Sequence, residues 1–81
     1  MSETTTRAEH MRWCKRRAKD EYAFYLKRGT PDDARSNAFA SMLSDLGKHE
    51  ATRGCLELAM MLGHTVTDER SLMAFIDGFA E

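Results

Sequence analysis

The chain has 81 residues, 42% hydrophobic and 31% charged, with five glycines and one proline, a balance that suits one polar-surfaced domain and excludes a disordered chain or two independent cores. Twelve lysines and arginines against thirteen aspartates and glutamates leave a formal charge of −1, so net charge gives no reason to expect a nucleic acid or an anionic membrane as partner. Two cysteines cannot build the disulfide framework of a small secreted protein, and the longest apolar run, Leu58–Leu62, falls far short of the ~20 residues that cross a bilayer. Met1–Thr6 offers no apolar stretch for export, so a cytoplasmic protein in a reducing compartment is expected.

Met1–Thr5 is polar and aperiodic and is expected to be a disordered leader to a single helical domain over residues 6–81. Thr6-Arg7-Ala8-Glu9 has the form of a capping box. Behind it Met11, Cys14, Ala18, Tyr22, Tyr25 and Leu26 recur three and four apart, which predicts a first helix over residues 6–28. Gly29-Thr30-Pro31-Asp32-Asp33 is the strongest punctuation: glycine for a left-handed C′ position, threonine to cap, proline at N1, and two carboxylates for the positive end of the next helix. That second helix is predicted over 31–46, burying Ala34, Ala38, Phe39, Met42, Leu43 and Leu46.

Lys48 and His49 connect to a third predicted helix over 50–62, with Ala51, Cys55, Leu58, Met61 and Leu62 inward and Leu56, Ala59 and Met60 widening its apolar face. Thr67 is expected to cap a fourth helix over 67–79 that carries Leu72, Met73, Phe75, Ile76 and Phe79. One valine and one isoleucine leave little material for strands. The expected fold is all-α, about four helices in an antiparallel bundle or stacked helical hairpins. Tyr25–Gly29 with Asp32–Ala34 resembles the inter-helix turn of a tetratricopeptide repeat, although no second repeat at that period is visible.

Signals for chemistry are sparse. His10 and Cys14 share a helix face and could offer an imidazole and a thiolate to a metal, but two ligands do not make a site, and cysteines in apolar stripes more often pack as small hydrophobes. A Cys14–Cys55 disulfide and a Cys/His nucleophile pair are weaker alternatives, since the sequence supplies no oxyanion loop and no phosphate-binding or metalloprotease motif. Asp32-Asp33 and Asp68-Glu69 stand at helix starts, where the dipole accounts for them. No catalytic residue, cofactor or metal is expected.

Charge placement is more informative. Residues 1–28 carry eight basic and four acidic side chains, a net of +4, and residues 29–81 carry four basic and nine acidic, a net of −5. Arg12, Lys15, Arg16 and Lys19 line one side of the first helix, with Trp13 and Arg17 on a neighbouring side. This face could form internal ion pairs, dock on an acidic protein or meet phosphates. Trp13 could be a surface anchor or one more core aromatic.

Thr6-Arg7-Ala8-Glu9-His10, Trp13-Cys14-Lys15-Arg16-Arg17-Ala18, Ala38-Phe39-Ala40-Ser41-Met42, Ser44-Asp45-Leu46-Gly47-Lys48-His49 and Met73-Ala74-Phe75-Ile76-Asp77-Gly78-Phe79 resemble a family of small all-helical proteins of actinobacterial bacteriophages. The resemblance implies a phage accessory protein in a bacterial cytoplasm and brings no catalytic residue with it. The expectation is therefore a non-enzymatic module that binds a host or phage protein through Arg12, Trp13, Lys15, Arg16, Arg17 and Lys19 or through the stretch around Met60 and Met61. A homo-oligomer is compatible with that reading, and a nucleic-acid-binding regulator using the basic face is the alternative.

Overall fold

The computed structural model describes residues 6–80; the expected leader, residues 1–5, and Glu81 lie outside them. The chain forms α1 (Arg7–Leu26), α2 (Pro31–Leu46), α3 (Glu50–Arg53), α4 (Leu56–Leu62), a 3₁₀ turn over Gly63–Thr65, and α5 (Glu69–Asp77), with no strand among the described residues. The all-α class is as expected.

α1 starts on the capping box: the Thr6 hydroxyl accepts from the Glu9 amide at 3.1 Å, and the Thr6 amide donates back to the Glu9 carboxylate at 3.4 Å. It ends at Leu26, the last residue of the apolar stripe and two residues before the predicted bound at 28. The amides of Arg28 and Gly29 both turn onto the Tyr25 carbonyl, at 3.1 and 2.9 Å. No described glycine has a positive φ, so the left-handed conformation expected at Gly29 is not used; a right-handed turn already satisfies the carbonyl. Thr30 then caps α2 by accepting from the Asp33 amide at 3.1 Å, with Pro31 in the first turn, and α2 keeps its predicted bounds.

The expected third helix is broken in two. His49 serves as N-cap, its Nδ1 accepting from the Ala51 amide at 3.0 Å, and α3 lasts one turn. The buried Thr52 hydroxyl donates to the Leu46 carbonyl at 2.8 Å, which ties this turn to the end of α2, and the chain then bends through Gly54 and Cys55. Turns with i→i+3 bonds advance by about 120° per residue against 100° in an α-helix, so the break re-phases everything after it. Leu58 and Met61, expected inward, are exposed, and Ala59, expected only to widen the face, is the fully buried residue of α4. The last helix also starts later than expected. Asp68, not Thr67, is its cap, in a reciprocal box with Ser71, and regular structure ends at Asp77.

α1 and α2 make the most extensive contact in the molecule, and α5 rests against both. Met11, Cys14, Ala18 and Tyr22 from α1 meet Ala34, Ala38, Met42 and Leu46 from α2, and Leu72, Phe75, Ile76 and Phe79 close the core. Three alanines at zero exposure let the backbones of the hairpin approach closely. Phe39, Phe75 and Phe79 form a chain of rings 5.1 and 5.2 Å apart. The Cα envelope measures 38 × 24 × 16 Å, about two helix layers thick. Leu58, Met60 and Met61 leave the outer side of α4 exposed.

Candidate functional site

The basic side chains of α1 are the first candidates, and the structure turns several of them inward. Lys15 is only 9% exposed; its ammonium donates to the carbonyls of Phe79 and, at 3.5 Å, Asp77. Lys19 pairs with the Asp77 carboxylate at 2.8 Å. Arg7 donates to the Ala80 carbonyl at 2.7 Å and to the Cys55 sulfur at 3.4 Å. Three cations of α1 thus sit on the carbonyl-rich end of α5, where unpaired carbonyls and the helix dipole favour positive charge. Arg12 and Arg16 are exposed. Together with Lys15 and Lys19 they border a shallow, open depression of about 420 Å³ whose rim also holds Asp20 and Asp77.

Arg17 and Trp13 belong to a second cluster. The Asp45 carboxylate has no exposed surface and accepts from Arg17 at 2.8 Å and from Lys48 at 2.9 Å. The hydrogen bond to Asp45 raises the Arg17 pKa above its ordinary value. Trp13 is half-buried, with the Arg17 guanidinium 5.2 Å and the Lys48 ammonium 5.6 Å from its ring. Behind it His10, 1% exposed, lies in the stack with Trp13 and His49, its Nε2 donating to the Asp45 carbonyl at 2.8 Å. His10 Nδ1 has no hydrogen-bond partner among the described residues.

The Cys14 thiol is fully buried, and burial, reinforced by the nearby Asp45 carboxylate, pushes its pKa up to about 11. A thiol held protonated in this way is a poor nucleophile and metal ligand. Cys55 is half-buried, and both thiols are free. Among the described residues no three His, Cys, Asp or Glu side chains converge as a metal would need, and no helix is long and apolar enough to cross a membrane.

The other candidate surface is apolar. Leu58, Met60 and Met61 of α4 are 51%, 63% and 65% exposed. Leu58 and Leu62 form one wall of a groove of about 110 Å³; Phe75 and Phe79 line it, and exposed Ala74 of α5 and Gly78 just after it make a low opposite wall. The sequence offered the stretch around Met60 and Met61 as a docking surface but its periodicity placed Leu58 and Met61 inward, because the break at Gly54–Cys55 leaves no hydrophobicity signal; Phe79 is in the core as expected. Phe24, 48% exposed beneath the Arg28 guanidinium at 3.9 Å, was also missed. Its place just off the apolar stripe of α1 was the available sign.

Fold and surfaces together define a small all-α domain whose distinctive parts lie on its outer faces. Among known proteins, no family model, no curated protein and no solved structure matches the chain.

Proposed function

We propose that the chain is a non-enzymatic accessory protein of the actinobacteriophage type, acting in the host cytoplasm as an interaction module that docks a basic amphipathic helix of another protein on the α4–α5 face. The observation that carries this reading is the exposure of Leu58, Met60 and Met61 on a helix that seals only Ala59. Contiguous exposed apolar surface is costly in a monomer and characteristic of a binding face, and methionines adapt to irregular partners. The groove lined by Leu58 has the dimensions of one or two large side chains, and Ala74 and Gly78 let a helix backbone approach.

Charge selects the kind of helix. Residues 50–80, which carry the face, hold Glu50, Glu57, Asp68, Glu69 and Asp77 against Arg53 and Arg70; Lys19 takes up Asp77, and the remaining four acidic against two basic side chains suit lysine or arginine flanks better than acidic ones. Engagement of Lys15, Lys19, Arg7 and Arg17 with the protein's own acceptors favours this face over a phosphate-binding one. The two free thiols and the sequence resemblance support a cytoplasmic phage setting.

Methyl-labelled methionines test the reading directly. Titration with a synthetic amphipathic helix flanked by lysines should shift the Met60 and Met61 methyl resonances and leave buried Met11 and Met42 in place. The same apolar face flanked by glutamates should bind about tenfold more weakly or worse. If Met60 and Met61 stay unmoved by both peptides, the assignment of this face fails.

A further inference from the structure

The outward ridge of α1 carries a pattern that the α4–α5 face does not use and that the fold uses only in part, through Trp13 and Arg17. Trp13 and Phe24 lie eleven residues apart, about 20° from eclipsed on an α-helix. Between them one flank carries Arg17 and Glu21 and the other Arg16 and Asp20, each pair one turn apart. Arg16, Asp20 and Phe24 are exposed, and Trp13, Arg17 and Glu21 half-exposed. Arg17, Asp20, Glu21, Phe24 and Tyr25 line an open groove of about 360 Å³. Neither Asp20 nor Glu21 forms an ion pair among the described residues, although an arginine stands one turn before each.

Along the helix the order is aromatic, two cations, two anions, aromatic. Reversed, it becomes aromatic, two anions, two cations, aromatic, its own complement. In an antiparallel pair of identical helices related by a two-fold axis, each flank faces the same flank of the other copy. Arg16 then meets the second copy's Asp20 and Trp13 meets its Phe24, while Arg17, whose Nε already donates to Asp45, meets Glu21 with its outer nitrogens only. Arg16–Asp20 is centred on Ala18, Arg17–Glu21 on Lys19 and Trp13–Phe24 on the link between them, so one axis through that link serves all three to within about half a residue. A parallel pair would set cation against cation and anion against anion.

We infer that this ridge is a self-association surface, on which two copies of the chain pair antiparallel through α1 in a dimer weakened by salt. The inference is independent of the α4–α5 reading. The ion pairs are exposed and therefore individually weak and screened. Dimerisation is expected at high protein concentration and low ionic strength.

Sedimentation velocity on the full chain tests this at low and high sodium chloride, with the emission of Trp13, the sole tryptophan, as a second readout. Wild type should dimerise at low salt with a blue shift and return towards monomer at high salt. Arg16→Glu and Asp20→Arg lie at exposed positions. Each should weaken dimerisation about tenfold or more, because like charges then face each other twice. An equimolar mixture of the two variants should dimerise again, since Glu at 16 then faces Arg at 20 and the native Arg16 and Asp20 still face each other. A wild type that stays monomeric at every concentration and salt overturns the proposal. So does a dimer untouched by both variants but lost in Met61→Asp, which would move the interface to α4.

Discussion

In the α1–α2 hairpin Met11, Met42 and Leu46 are sealed, and Phe24 and Leu26 near its tip are the only large apolar side chains left substantially in water. In the stretch from α3 to α5, Leu58, Met60 and Met61 all stand in solvent, and their helix seals one alanine. The difference begins with length. Helices of 20 and 16 residues present four or more turns to each other, enough for a continuous buried stripe, whereas helices of four and seven residues are too short to form on their own and depend on docking. The second region is held by the first through Lys15, Lys19 and Arg7 at the end of α5. Charge that looked like a ligand-binding face is largely the means by which one region fastens the other.

Substitutions separate the regions, and the largest effect belongs to the hairpin. Leu46→Ala, at zero exposure, should cost about 2–4 kcal/mol in chemical denaturation, while Leu58→Ala should stay within about 0.5 kcal/mol. Equal losses would mean that α4 is buried in solution. Next comes Gly63→Ala, where an added Cβ would lie 2.8 Å from Cζ of Phe39. Moving that ring disturbs its contact with Phe75, and a loss of about 1–3 kcal/mol is expected in the same assay.

The smallest effect concerns the thiols. At pH 8 a thiol reagent should label half-buried Cys55 in the native protein and reach Cys14 only on unfolding. The sign of the linkage is fixed: the folded pKa of Cys14 is raised from 9.0 to about 11, so the protonated thiol supports the fold fully below pH 9, and that contribution is lost as pH rises through 11. Native labelling of both thiols at pH 8 would show that the hairpin core opens.

Much of the fold was legible because its signals are local. The Thr6–Glu9 box, the Thr30-Pro31 start of α2 and the spacing of Met11, Cys14 and Ala18 each specify structure within one or two turns. The break at Gly54–Cys55 was not legible, since Thr52 bonds back to the Leu46 carbonyl in a contact that no periodicity encodes. The candidate surfaces were half legible for the same reason. Charge asymmetry pointed to α1, but the acceptors of Lys15 lie more than sixty residues away, and only the folded chain shows that its ammonium is an internal cap.

Native-state hydrogen exchange of Lys15→Met tests the dependence of one region on the other most directly. Methionine keeps the buried stem and removes the cation, leaving the Phe79 and Asp77 carbonyls without that donor. The amides of α5 should lose protection about tenfold, while those in the centres of α1 and α2 keep theirs. Unchanged protection in α5, or an equal loss across all helices, would contradict the claim that α1 fastens α5 through its cations.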